Sequence, residues 1–265
     1  MSWSGRIGLL LLGLVAVVWI CAALSGYDVI ADVNPALGGT AASGAHWLGT
    51  DHLGRDVFSR LMLGSHAFVG PGLLACLTAF VIGVPAGGLA GYYGGPLASF
   101  IRYVSTVVAS LPRFVLVLLC MAVYGNDVWL LSIVAGLSYV PTLAGAVYAR
   151  VQSLSNAEFV VAARAHGISE SRILLYHLIW VNCRRLVGRY ALQLFGYFLL
   201  LETTLSYIGG FGVMEPQPSW GNMLAFDFGY QTGNIWGVVA PALAIWLTIM
   251  GCSLLEEELV EERRA

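Results

Sequence analysis

The sequence predicts an all-α protein that crosses a membrane six times, with both termini on the cytoplasmic side. Three observations carry that expectation. The 265 residues include only 13 basic and 15 acidic side chains, 11% of the chain, where a soluble protein is about a quarter charged. Apolar residues make up 58% and the mean hydropathy is +0.78. Uncharged stretches long enough for a bilayer-crossing helix, roughly 20 residues, recur along the chain. This composition excludes a soluble enzyme domain. A net charge of −2 also leaves no broad cationic surface for nucleic acid. All 13 basic residues are arginine, which reads as coding bias.

The spans follow in order. The first, near 7–27, begins just after Arg6. It is longer than a signal-peptide core of about 7–15 residues and is expected to be retained as an anchor. The next uncharged run, 61–101, has length enough for two helices, but Gly91-Tyr92-Tyr93-Gly94-Gly95-Pro96 reads as a turn. It therefore resolves into a span near 67–90 and the start of another near 99–123, whose uncharged stretches 103–112 and 114–126 are interrupted only by Arg113. A fourth is expected at 128–149, a fifth at 190–210 with Glu202 inside it, and a sixth at 233–255.

Arginine placement sets the orientation, because basic residues accumulate on the cytoplasmic side. With both termini inside, Arg6, Arg102, Arg150, Arg164, Arg172, Arg184, Arg185, Arg189, Arg263 and Arg264 are cytoplasmic, and only Arg55 and Arg60 are external. Segments 28–65 and 211–232 then become external loops, and 155–180 becomes the main internal one.

That internal loop reads SNAEFVVAARAHGISESRILLYHLIW. Asn156 is placed to cap a first short helix, with Glu158 near its positive end. Gly167 breaks it, through a left-handed conformation or a close backbone approach. Ser169 is placed to cap a second helix, along which Ile173, Leu174 and His177 recur at helical spacing. Two short helices with a glycine elbow make a compact knob at the membrane surface. On the residues alone, an ordinary amphipathic connection fits as well.

The loop resembles the EAA loop of ATP-binding-cassette (ABC) importer permeases, through Ala162, Ala163, Gly167 and the apolar His177-Leu178-Ile179. Val161 stands where that pattern has Glu, and Trp180 where it has Pro; Glu158 lies one turn before Val161. Further stretches resemble the peptide and nickel branch of the same family. They are the run from His46 to Arg60, containing Leu48-Gly49-Thr50-Asp51 and Gly54-Arg55-Asp56-Val57, then Gly91-Tyr92-Tyr93-Gly94-Gly95, then Glu202-Thr203-Thr204-Leu205-Ser206, and finally Pro218-Ser219-Trp220-Gly221-Asn222-Met223-Leu224. The resemblance implies the six-helix fold of type I importer permeases and a C-type subunit of a dipeptide or oligopeptide importer in a bacterial or archaeal-type cytoplasmic membrane. It also implies a homologous second permease, two ATPase domains or subunits that bind ATP and Mg, and an extracytoplasmic substrate-binding protein. The 158–180 loop would dock into the ATPase, with Glu158, Ala162, Ala163, Gly167, Ser169 and His177 as its candidate coupling residues. Nickel chelates or other small solutes are the alternative cargo.

Other residues keep two readings open. Thr50, Asp51, Gly54, Arg55 and Asp56, with Trp220 and Asn222, either shape an external scaffold that meets a binding protein or cap the chain as it enters the second span. In a surface helix Asp51 and Arg55 lie one turn apart and pair weakly. Glu202, with Ser206, either lines the route or binds polar groups of a neighbouring helix, since a charge in the membrane must face protein or water. Gly83, Gly87 and Gly91 repeat GxxxG spacing and favour close helix packing, while Pro85, Pro112, Pro141 and Pro241 are candidate kinks.

The five cysteines show no CxxC spacing and the histidines no ligand spacing, so neither a disulfide framework nor a metal site is expected. No G-x-x-x-x-G-K-[ST] motif occurs, so any ATPase must be another polypeptide. A self-contained secondary transporter is the competing class, although such proteins use discontinuous helices and several intramembrane charges, and this chain offers Glu202 and Arg113. The acidic end, Glu256 to Glu258 with Glu261 and Glu262, reads as a solvated helix terminus open to ATPase contact.

Overall fold

The structure, a computed structural model, describes residues 2–26, 28, 33–230 and 233–261. Parts of both expected external loops, together with Glu262, Arg263 and Arg264, lie outside the described residues. Helices run α1 (Trp3–Leu24), α2 (Val57–Gly64), α3 (Val69–Tyr93), α4 (Gly95–Ala109), α5 (Arg113–Tyr124), α6 (Val128–Leu154), α7 (Glu158–Ala165) and α8 (Glu170–Arg172). From α8 the chain continues as a π-helical stretch, Ile173–Cys183, into α9 (Arg184–Ile208), followed by α10 (Trp220–Tyr230) and α11 (Trp236–Glu261). Extended pairing among the described residues is confined to one isolated bridge, Thr50 to Asp56.

Five of these helical stretches are long and apolar enough to cross a membrane, and a sixth arises if α4 and α5 together form one span. Those two meet at a 76° bend, so the stretch expected at 99–123 is a broken span and not a continuous helix. Pro112 is the cause in sequence. It occupies the N-cap of α5 with an extended backbone, and the residue before a proline is disfavoured in helical conformation. Pro85, Pro141 and Pro241 instead sit within helices that run through them. The helix near 67–90 has a forerunner, α2, inside the expected external loop, joined through a short 3₁₀ turn at Ser65–Ala67.

The tightest packing is between α3 and α6. A Cβ on Gly87 would lie 2.4 Å from the Ala144 carbonyl oxygen, and one on Gly91 2.7 Å from that of Tyr148. From the other helix, a Cβ on Gly136 would lie 2.5 Å from the Ala75 carbonyl oxygen. Backbone thus meets backbone at one-turn intervals, the packing that small residues permit inside a membrane. The long helices enclose two apolar clusters. One gathers Phe68, Leu131, Phe198, Leu205, Trp220 and Met223. The other gathers Leu143, Val147, Val151, Val160, Ile173, Leu174 and Leu178. The second cluster anchors the 158–180 loop directly in the helix bundle.

Candidate functional site

The 158–180 loop is built as a wedge with one buried face. On α7, Val160 is fully buried, and along the following strand of chain Ile173 and Leu178 are equally so. Ala163 is half-buried and packs against the same cluster. The opposite face presents Glu158, Phe159, Val161, Ala162 and His166 to the outside. Phe159 and Val161 are 42% and 55% exposed, an apolar pair at the position where the related pattern carries an acid. Gly167 takes φ +74° with open space around it, so the turn needs glycine for its backbone and not for a close approach. The elbow is closed by the Ile168 amide, which donates to the Ala163 carbonyl at 3.1 Å.

Two expected caps are absent. Ala157, not Asn156, is the N-cap of α7, and Ser169, although it occupies the N-cap of α8, makes no capping hydrogen bond. Order comes from elsewhere. The Arg164 guanidinium donates to the Tyr92 hydroxyl at 2.9 Å and to Glu170 Oε1 at 3.2 Å, and the Tyr92 hydroxyl donates to Glu170. Tyr92 belongs to the last turn of α3, so this clasp ties both arms of the knob to a long helix. The π-helical stretch then carries the wedge into α9. His177 lies within it, half-buried, with its carbonyl accepting from Asn182 Nδ2 at 2.7 Å. Such a stretch shifts helical register and is a common mark of functional sites.

At the other end of the bundle the motif around Asp51 is folded inward. Asp51 and Arg55 are 3% and 1% exposed, and they sit in a turn, not on the surface helix considered from spacing alone. Asp51 Oδ1 accepts from the Leu53 and Arg55 amides at 2.9 Å each, and Oδ2 accepts from Arg55 Nε at 2.7 Å. The Arg55 fork continues to Glu215, which also takes Arg60 Nη2 at 2.7 Å. Gly54 has φ +76° and the Asn34 backbone packed against it. Thr50 is buried and hydrogen-bonded to Thr40. Asp56 does cap α2, accepting from the Ser59 amide at 2.7 Å. The motif is therefore a cap and a scaffold together.

The segment 211–222 completes that scaffold. Trp220 Nε1 donates to the Leu61 carbonyl at 2.8 Å. Asn222 spans its own loop, donating to the carbonyls of Val213 and Gln217 and accepting from the Ser219 amide. Glu202 is fully buried and accepts from Ser206 Oγ at 2.6 Å, and that hydroxyl accepts from the Val213 amide at 2.9 Å. Glu202 and Ser206 thus bind the returning chain instead of facing an open surface. Sequence reasoning missed Glu215 and Asn234, the amide of the latter reaching the carbonyls of Leu48 and Thr50, and gave Arg60 only as the end of the His46–Arg60 run.

Asp227 sits beside this scaffold, 3.7 Å from His52 Nδ1, which stacks on Phe226. Burial pushes the Asp227 carboxyl up to about 6, against the pull of Arg60 and Arg55. A carboxyl raised in the folded state binds its proton more tightly there than when unfolded, so its contribution to stability falls as pH rises from about 4 to 6. Asp227→Asn is therefore expected to stabilise the protein at pH 7.5 by up to about 3 kcal/mol and by only about 1 kcal/mol at pH 4.5. Melting temperatures of the two proteins in detergent at both pH values check this.

The start of α1 also meets the last turns of α11. The Ser2 amide donates to both Glu258 oxygens at 3.0 and 3.1 Å, and Glu258 is only 7% exposed. The acidic terminus is therefore partly a packed contact, not wholly a solvated end. Among the described residues, no three His, Cys, Asp or Glu side chains come together as metal ligands.

These features define a class: a multi-pass helical membrane permease with a braced face at one end and a wedge-shaped loop at the other. Residues 83–257 match the family described as binding-protein-dependent transport system inner membrane component, and the chain belongs to that family. Similar curated proteins include the dipeptide transport system permease protein DppC of Alkalihalophilus pseudofirmus, 28% identical over 96% of this chain and 83% of that protein. The nickel transport system permease protein NikC of Escherichia coli is 30% identical over 97% and 92%. The glutathione transport system permease protein GsiD of Pectobacterium atrosepticum is 28% identical over 95% and 83%. The chain is thus a multi-pass cytoplasmic-membrane subunit of an ABC importer. ATP hydrolysis and substrate capture belong to separate subunits of such systems.

Proposed function

We propose that this subunit forms half of a peptide-translocating pathway, beside a homologous second permease. Two cytoplasmic ATPases, which hold the ATP and Mg, close on binding ATP, and the 158–180 wedge carries that closure into α3 and α9. The helices then alternate between outward- and inward-open states, a shift driven by the different affinities of ATP and cargo for the two. The observation that carries this reading is the wedge itself, with Phe159, Val161 and Ala162 exposed on α7 and an inner face clasped to Tyr92 and buried against α6. The orientation that accompanies it places both termini and the wedge in the cytoplasm and the Asp51 scaffold outside, towards a binding protein. Dipeptides or oligopeptides are the favoured cargo, because relatives named for dipeptide, oligopeptide and glutathione transport recur among those similar to this chain. A nickel chelate is the second reading, favoured by the long match to the nickel permease.

The test is reconstitution in liposomes. The complete importer is expected to accumulate a labelled dipeptide only with ATP, and this chain alone to pass none. Gradient-driven, ATP-independent flux through the chain alone would identify a self-contained transporter instead.

A further inference from the structure

The exposed residues of α9 do not scatter around the helix. Between its two ends the exposed positions are Gln193, Leu200, Thr204 and Tyr207, which at 100° per residue fall within an arc of about 60°. Two of the four are polar, on a helix whose other middle positions are buried or half-buried. The Thr204 hydroxyl is satisfied within α9 by the Leu200 carbonyl at 2.7 Å, but an exposed amide such as that of Gln193 is costly against hydrocarbon, which offers its N–H groups no partners.

Arg113 is packed through Tyr139 against Gln193 of this stripe. Arg113 opens α5 at the break in the third span. Its guanidinium donates to the Thr142 hydroxyl and lies over the rings of Tyr139, at 4.8 Å, and Tyr197, at 6.0 Å. Tyr139 is buried and its hydroxyl donates to Gln193 Oε1 at 2.7 Å. No carboxylate pairs with Arg113 among the described residues. Arginine is expensive at membrane depth, about 2.5–3.5 kcal/mol on insertion scales, and normally pairs with an anion or faces water. Here neutral hydroxyls and aromatic faces position the fork and leave its charge uncompensated. A planar guanidinium held in this way matches a carboxylate through two parallel hydrogen bonds.

We infer that Arg113, framed by Tyr139, Gln193 and Tyr197, is a carboxylate-binding site on an aqueous route along the exposed face of α9. The inference rests on the transport reading above and adds the chemistry of the cargo, a free carboxylate. That group is the C-terminus of a peptide or a side-chain acid of peptide or chelator.

Cysteine accessibility in the reconstituted importer tests it. Gln193→Cys and Thr204→Cys are made with Cys21 and Cys120 replaced by Ala, and labelled with an anionic and a cationic methanethiosulfonate. Rates are normalised to those of a free thiol in solution. Both positions are expected to react, and Gln193→Cys to prefer the anionic reagent. That preference should fall at least about fivefold in Arg113→Gln and persist in Arg113→Lys. No reaction at either position, or no anion preference at Gln193→Cys with Arg113 present, overturns the proposal. The second of these outcomes needs no Arg113 variant to fold. Dialanine is expected to slow labelling at Gln193→Cys, and its C-terminal amide is not; equal protection by both overturns recognition through the carboxylate. An intact anion preference with no protection by dialanine overturns the peptide-cargo reading and leaves the anion site standing.

Discussion

Asp51→Ala is expected to destabilise the protein by about 3–5 kcal/mol, the cost of breaking a buried ion pair from one side. The melting temperature in detergent should fall by roughly 10 °C. The size of the effect follows from what Asp51 holds. It accepts two backbone amides and the Arg55 Nε, and its second oxygen lies 3.4 Å from Arg60 Nε. Without it, two buried guanidiniums share Glu215 alone, and a turn loses its internal acceptor. Glu215 belongs to the segment that returns after α9, so the loss also unties that segment from the turn at 51–56. Arg55→Lys is expected to be damaging too, although milder, because an ammonium cannot bridge Asp51 and Glu215 as a planar fork does. A melting temperature unchanged in Asp51→Ala would mean that the cluster contributes geometry without stability.

The second large effect is at Gly87. A Cβ there meets a backbone carbonyl at 2.4 Å, and a backbone held by its own helix cannot step aside as a side-chain tip can. Gly87→Val is expected to cost about 3 kcal/mol or more, at the upper end for overpacked sites, by forcing α3 and α6 apart. Gly13→Ala is the control. It lies in α1 with nothing within 4 Å of the added carbon, so the better helix propensity of alanine should leave stability unchanged or raise it slightly. Thermal unfolding of the two variants side by side makes the comparison, and equal behaviour would contradict the packing described for α3 and α6.

What could be read from sequence, and what could not, divides by the range of the interaction. Helical spans are long runs of one composition, so their number and order are visible residue by residue. The glycine repeat at 83, 87 and 91 announces a close approach, and Gly167 announces an elbow, because each depends on an intrinsic property of glycine. Asp56 sits one residue before a helix and caps it, a local bond. Glu215 lies 160 residues from Arg55, and nothing near it marks it as a partner. The Arg164, Tyr92 and Glu170 clasp likewise joins segments that only the folded bundle brings together. Asn156 and Ser169 show the reverse error, since good capping residues go unused when buried apolar contacts at Val160 and Ile173 set the helix starts. The break at Pro112 was visible as a proline beside Arg113. Its consequence, a sharp turn in the span that places Arg113 against Tyr139 and Tyr197, depends on helices α6 and α9.

If the wedge couples to the ATPase as proposed, the burial pattern tells which part of it would dock. Ala163 faces inward to the second apolar cluster, so a bulky residue there perturbs the knob itself. Ala162, beside the exposed Phe159 and Val161, faces outward and reports on docking alone. The most direct measurement is therefore ATP-driven uptake by the reconstituted importer carrying Ala162→Arg, with the melting temperature of the permease measured in parallel. A charged, bulky side chain in an apolar docking face should lower uptake at least about tenfold and weaken retention of the ATPase, while the permease inserts and melts as before. Uptake and ATPase retention both unchanged in Ala162→Arg would contradict the assignment of the 158–180 wedge as the coupling element.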